Sequence, residues 1–180
     1  MYPDYSIKTF SNLLILKIMS TSSAALKAQF DLHTRLFNNA LDGITDTDAT
    51  TRKSEHINHI KWIAGHLVNT RISTINRMTG GQPDETYTAQ FGRGAALDPN
   101  ASYPAIEEIT SKWKETAPGI SNAFTNMPEE ALSAKAPVQT PVADDTLRGL
   151  LAFLVSHEAY HIGQLSLLRK MVGKEAMSYN

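Results

Sequence analysis

The chain has 180 residues, and its net charge of -1 comes from 17 basic and 18 acidic residues. It contains no cysteine, so disulfides and thiolate metal sites are excluded, and any metal must be bound by His, Asp or Glu. No cluster of Lys and Arg is present to neutralise phosphates, so nucleic acid is not an expected partner.

The start of the chain suggests a segment that precedes the folded domain. Met19 opens a serine and threonine cluster before the first strong helical pattern, so residues 1–18 are assigned to an extension of unassigned status and residues 19–180 to one domain. A signal peptide is the alternative, but the apolar stretch Leu13–Met19 is short and Lys17 interrupts it. No stretch is long enough to span a bilayer, so we expect no membrane partner and a cytoplasmic location.

Four segments show the apolar spacing of amphipathic helices, and connections containing Gly or Pro separate them. They are predicted at about residues 22–42, 54–79, 103–127 and 147–172. Pro118 and Gly119 lie inside the third segment and predict a kink or a break. No alternating strand pattern is visible. The sequence therefore predicts an all-α fold, a four-helix bundle with long loops between helices 2 and 3 and between helices 3 and 4.

The fourth helix places two histidines among its apolar residues. Its predicted buried stripe spans about 100° at 100° per residue, and it consists of Leu147, Leu150, Leu154, His157, His161, Gln164, Leu165, Leu168 and Val172. The two imidazoles are one turn apart, in the middle of this stripe, where they can share one metal ion. The alternative is a pair of core histidines with hydrogen-bond partners. The metal is favoured, because one cation would satisfy both rings.

The same segment, from His157 to His161, reads H-E-x-x-H, which in zinc peptidases makes the intervening Glu a general base. The downstream extension of that motif is absent, and no strand is predicted that could hold a peptide. A zinc peptidase is therefore disfavoured. Glu158 falls at the edge of the stripe. We interpret it as a surface acid in preference to a residue that accepts a hydrogen bond from a ligating imidazole.

The third ligand cannot be assigned from helical spacing. His66 lies on a polar arc of the second helix, away from an apolar arc that includes Ile60, Ala64 and Val68. That polar arc is either a solvated face or the wall of a polar cavity. Three further histidines, His33, His56 and His59, leave alternatives open.

Two sequence segments together resemble the DinB-like superfamily. Trp62 to Leu67 reads W-x-x-x-H-L, and His157 to Gln164 reads H-x-x-x-H-x-G-Q. The resemblance extends from about Ser22 to Gly173. It implies a four-helix bundle in which His66, His157 and His161 bind nickel, zinc or iron. The family name comes from DNA-damage induction and does not imply DNA binding.

The resemblance also implies a function. Some relatives are thiol-dependent S-transferases or isomerases, and many have no known activity. Three His ligands leave coordination positions open, which is typical of catalytic sites. We therefore expect a metal-dependent thiol S-transferase or hydrolase that acts on a small molecule, with a low-molecular-weight thiol as a further cofactor. The competing class is a non-enzymatic helical dimer stabilised by metal.

Four other side chains are candidates for hydrogen-bond partners that orient the ligating imidazoles: His33, His59, Glu158 and Gln164. His33 and His59 are also rivals for the third ligand position. A homodimer is expected from the resemblance and from apolar residues that exceed the needs of one helix seam. These residues are Ile57, Ile60, Val68 and Ile75.

Overall fold

The computed structural model describes the backbone of residues 6–180 and the side chains of residues 22–180, and this part of the chain is helical. The α-helices are α1 (Ser6–Leu41), α2 (Asp46–Thr50), α3 (Ile60–Thr79), α4 (Glu85–Phe91), α5 (Ile106–Asn126) and α6 (Leu147–Met171). A 3-10 helix covers Glu129–Ser133. Within the described residues, β pairing is limited to one bridge between Lys135 and Thr146. None of the described helices is long and apolar enough to cross a membrane.

The four long helices, α1, α3, α5 and α6, form a bundle. Helix α1 packs against α5 and α6, and α3 packs against the same two helices, so α1 and α3 lie on opposite sides of the bundle. The short helices cover the outside of this arrangement: α2 and α4 both pack on α3. The predicted four-helix bundle is confirmed.

Local sequence signals explain where several helices begin and end. The side-chain oxygen of Thr146 accepts a hydrogen bond from the backbone of Gly149 and caps α6. Gly80 follows α3 with a φ of +75°, a left-handed conformation that favours glycine and closes the last turn. These boundaries agree with the predicted ones.

Helix α3 begins later than the sequence suggested. The predicted start was Ser54, but the first helical residue is Ile60. His59 stands before it with extended backbone, and its Nδ1 accepts a hydrogen bond from the backbone N–H of Trp62 at 3.0 Å. A histidine thus occupies the N-cap, a position where Ser, Thr, Asp or Asn is the usual signal, and the expected start was wrong for that reason.

Helix α5 continues through Pro118 and Gly119, so the break predicted as one alternative does not occur. Buried residues on both sides, Trp113 before the pair and Ile120 after it, hold the helix in the core. Gly119 lies against α3, since an added Cβ would be 2.8 Å from Cδ1 of Ile75. Packing on α3 therefore offsets the hydrogen bond that proline cannot donate.

The apolar residues that suggested a dimer interface lie mostly inside the bundle. Ile60 is 1% exposed, Val68 is fully buried and Ile75 is half-buried. Ile57 alone among the four is exposed, at 36%. The excess apolar surface inferred from the sequence is used by packing within the chain, so that argument for a dimer was wrong.

Candidate metal centre

Three imidazoles meet between α3 and α6. His66 comes from α3, and His157 and His161 come from successive turns of α6. One ring nitrogen from each residue lies within 4.8 Å of the other two, and all three side chains are half-buried. The structure thus brings together the two histidines predicted from helical spacing, His157 and His161, and His66, which the family resemblance implied.

The spacing of the nitrogens fits a metal ion. Nε2 of His66 and Nε2 of His157 are 3.2 Å apart. Imidazole nitrogens bind zinc at about 2.0–2.1 Å, which in a tetrahedral arrangement separates two of them by about 3.4 Å. A divalent ion would therefore fit between these two rings with little movement.

Two of the rings have their tautomers fixed by oxygen acceptors. Nδ1 of His66 donates to the carbonyl oxygen of Phe91 at 2.7 Å, and Nδ1 of His161 donates to Oε1 of Gln164 at 2.6 Å. The amide of Gln164 is itself oriented, because its nitrogen donates to the hydroxyl of Tyr160. When the rings are neutral, each Nε2 carries a lone pair, as a metal ligand requires.

His157 differs, because its Nδ1 is buried without a hydrogen-bond partner among the described residues. Its ring lies against two other imidazoles, with centroids 5.1 Å from His66 and 4.5 Å from His161. A cation bound through Nε2 would pair the nitrogen of His157 that faces His66, whereas Nδ1 would keep its cost of burial. The feature that fits a metal is therefore the set of three imidazole donors.

The electrostatics keep all three rings neutral near pH 7. Burial lowers the pKa of each, and for His157 the neighbouring His161 and His66 add to this effect and lower the pKa to about 4. Since only the neutral ring has a free lone pair, the site is prepared to bind a cation without first losing protons.

An aromatic wall lies beside the triad. The ring of Trp62 stacks on His66 with centroids 5.3 Å apart and planes only 6° from parallel. Gly65 allows Phe91 to reach the same region, because a Cβ at position 65 would overlap the Phe91 ring. This close approach is what places the Phe91 carbonyl on His66.

The other predicted partners lie in different places. Gln164 contacts His161 as expected, whereas His59 caps α3 and its ring contacts the edge of Tyr103 at 5.6 Å. Neither His33 nor His59 belongs to the three-nitrogen cluster found among the described residues.

The prediction that Glu158 is a surface acid was wrong, because this residue is fully buried. Its two oxygens accept hydrogen bonds from Nε and Nη2 of Arg71 at 2.9 and 2.6 Å, and Nδ1 of His33 lies 3.2 Å from Oε2. Glu158 therefore lies at the centre of the buried face of α6, and His157 and His161 lie at its half-buried edge. The stripe inferred from apolar spacing was rotated relative to the true one.

Arg71 and Phe91 were missed by the sequence reasoning. Arg71 had a usable signal, since it falls on the same side of α3 as Ile60, Ala64 and Val68, where a charge is unexpected. Phe91 contributes a backbone carbonyl, for which the residue type gives no signal.

Comparisons with known proteins agree with this architecture. The family model of the DinB superfamily matches residues 29–165. A crystal structure described as the conserved protein of locus from Enterococcus faecalis has a TM-score of 0.61 at 17% identity, covering 83% of this chain and 96% of that chain. Such low identity shows the fold alone. No curated protein matches the chain significantly. Since the family model covers most of the chain, including all three histidines, the chain belongs to the DinB superfamily.

Proposed function

We propose that the protein is a metal-dependent enzyme that binds one divalent ion through His66, His157 and His161 and acts on a small molecule. The observation that carries this proposal is the cluster of three ring nitrogens within 4.8 Å, with the pKa of every ring lowered. Nickel, zinc and iron are the proposed metals, and imidazole suits each of them.

The chemistry we propose is thiol S-transfer or hydrolysis. Three neutral ligands leave open positions and the full charge of the ion, which when bound would lower the pKa of a thiol or a water molecule. The protein's own contribution is to hold the imidazoles in place: Phe91 and Gln164 fix two tautomers, and Trp62 packs on His66. A low-molecular-weight thiol is the proposed cofactor.

A peptidase of the H-E-x-x-H type receives no support. The Glu158 carboxylate is buried and both of its oxygens bond Arg71, so it is not free to activate water. The described residues also contain no strand that could align a peptide.

An enzyme and a non-enzymatic bundle should differ in how removal of the metal affects the fold. In an enzyme with open coordination positions, chelation should remove the metal while the helical spectrum persists. In a metal-stabilised module, chelation should unfold the chain. Homodimerisation stays a proposal from the family resemblance alone, and light scattering at high micromolar concentration would test it.

The decisive experiment is elemental analysis of protein purified without an affinity tag, followed by a screen of small thiols with electrophilic acceptors. Stoichiometric metal and a thiol-dependent product are the expected results. Metal-free protein that also fails to take up Zn²⁺, Ni²⁺ or Fe²⁺ in titrations would refute the proposal.

A further inference from the structure

A fully buried ionic cluster joins all four long helices beside the metal centre. Arg71 of α3 forms a two-bonded ion pair with Glu158 of α6, and His33 of α1 contacts the same carboxylate. The guanidinium carbon lies 3.7 Å from the ring centre of Trp113 on α5. Arg71 and Glu158 are both 0% exposed, and His33 is 4% exposed.

Further hydrogen bonds leave the guanidinium little freedom to move. Nη1 of Arg71 donates to the hydroxyl of Thr34 at 2.5 Å, and Nη2 also donates to the carbonyl oxygen of Phe30 at 3.2 Å. Arg71 is thus anchored on α1 by two groups and on α6 by a planar pair of bonds. Both partners of the ion pair are held in one relative orientation.

Stability alone does not explain such a cluster. Removing two charges from water is costly, and well-packed apolar side chains of similar size often serve a core as well or better. The property that apolar side chains lack is direction. Leucines tolerate sliding and rotation of neighbouring helices, whereas a planar two-bonded pair is lost when either helix moves.

The Arg71–Glu158 ion pair lies close to the candidate metal ligands on the same two helices. Arg71 lies five residues after His66 on α3, and Glu158 directly follows His157 on α6. The same two helices are therefore joined twice, by the ion pair and by the facing Nε2 atoms of His66 and His157. The two contacts are five residues apart on α3 and involve neighbouring residues that point in different directions on α6. Together they restrict both the register and the rotation of the helix pair.

We propose that the Arg71–Glu158 pair is a positioning device for the metal centre. It sets the rotation and register of α6 against α3, so that His157 and His161 face His66 before any ion arrives. This inference rests on the proposed metal binding. It assigns Glu158, the acid inside the H-E-x-x-H segment, a role in geometry and none in proton transfer.

The test replaces the cluster by apolar residues. The variant His33→Leu/Arg71→Met/Glu158→Leu keeps a filled core, and circular dichroism establishes that it is folded. Co²⁺ is the probe, since its visible spectrum reports coordination geometry, and affinity is measured by titration of the metal-free proteins. We expect the affinity to fall by about tenfold or more, with altered Co²⁺ bands.

A single variant covers the case in which the triple variant does not fold. Arg71→Lys keeps the positive charge but lacks the planar fork that bonds both oxygens of Glu158. It should weaken Co²⁺ binding by several-fold and alter the spectrum in the same direction. Folded Arg71→Lys protein with wild-type affinity and spectrum would overturn the inference.

The chain offers a matched control in Lys61. This residue is buried on α3, five residues before His66, and its Nζ lies 2.6 Å from Asp46. Because that pair joins α3 to α2 and does not involve α6, Lys61→Met should leave Co²⁺ affinity unchanged. An equal loss in Lys61→Met would show a general effect of buried charge and would also overturn the inference. Wild-type protein that binds no Co²⁺, Zn²⁺ or Ni²⁺ would instead refute the proposed function itself.

Discussion

The carbonyl oxygen of Phe91 accepts a hydrogen bond from Nδ1 of His66 at 2.7 Å, so the last residue of α4 selects the ring nitrogen that His66 presents to α6. Gly65 makes this contact possible, because any side chain there would overlap the ring of Phe91. The proposed metal centre therefore depends on a glycine that is not itself one of the three candidate ligands.

The first prediction is that Gly65→Ala weakens both the fold and the site. The added methyl must displace Phe91, and such overpacking costs about 1–3 kcal/mol of unfolding free energy. Displacing Phe91 also removes the acceptor of His66, so Zn²⁺ affinity should fall by about tenfold. Urea unfolding of the metal-free protein and Zn²⁺ titration measure the two effects.

Gly163→Ala is the matched control for that substitution. Gly163 lies in the middle of α6, is exposed, and has open space where a Cβ would be. Alanine should raise the free energy of unfolding by about 0.5–1 kcal/mol and leave Zn²⁺ affinity unchanged. Equal Zn²⁺ affinity in both glycine variants would contradict the role assigned to Phe91.

The second prediction concerns the triad. Alanine at His66, His157 or His161 removes one of the three proposed ligands and should severely reduce metal content after dialysis against the same buffer. His56→Ala should retain wild-type content, since the His56 side chain is 84% exposed and lies outside the cluster of three imidazoles. Full occupancy in both helix α6 variants would end the metal hypothesis.

The third prediction tests the hydrogen bond between Gln164 and His161. Gln164→Leu removes the oxygen that fixes the His161 tautomer, so Zn²⁺ affinity should fall by about tenfold. Gln164→Glu keeps an oxygen acceptor at the same place and should retain most of the affinity. Isothermal titration of both variants decides between this orienting role and simple packing, for which the leucine variant would bind as tightly as wild type.

The sequence predicted the bundle because four periodic segments and their caps are local signals. Thr146 and Gly80 act within one turn of their own helices, and each boundary could be read without knowing the rest of the chain. His157 and His161 were likewise predictable as a pair, since i and i+4 positions must share a helix face. His66 needed the family resemblance, because spacing alone left it on a polar arc.

Glu158 and Arg71 show why the remainder was not predictable from one helix at a time. Each charge lies on the buried face of its helix, which violates the expected pattern when that helix is considered alone. The two charges are compatible with a buried position because they pair with each other, although 87 positions separate them in the sequence. The signal that would have predicted both is a charge on the apolar arc of α3 together with an opposite charge on α6 between the apolar residues Leu151 and Ile162.

The last prediction is the pH dependence of the metal-free and metal-loaded protein. Burial lowers the folded-state pKa of His66, His157 and His161, that of His157 to about 4, whereas histidines in the unfolded chain titrate near a pKa of about 6.5. As the pH falls below that value, the unfolded chain binds protons that the folded chain does not. Stability of the metal-free protein should therefore be highest above about pH 6.5 and decline toward pH 4.

Metal binding should follow the folded-state pKa values, because the ion competes with protons only on the folded protein. Zn²⁺ affinity should thus change little between pH 8 and the unperturbed histidine pKa of about 6.5, and should fall steeply only at lower pH. Urea unfolding and Zn²⁺ titration at matched pH values measure both trends.

A variant with leucine at all three positions provides the reference, since His59, whose pKa is also lowered by burial, titrates alike in both proteins. The decline in stability below about pH 6.5 should be shallower in that variant. Two results would show that the fold does not hold the three rings neutral. One is a Zn²⁺ affinity that already falls steeply at pH 7, and the other is an identical pH profile of stability in both proteins.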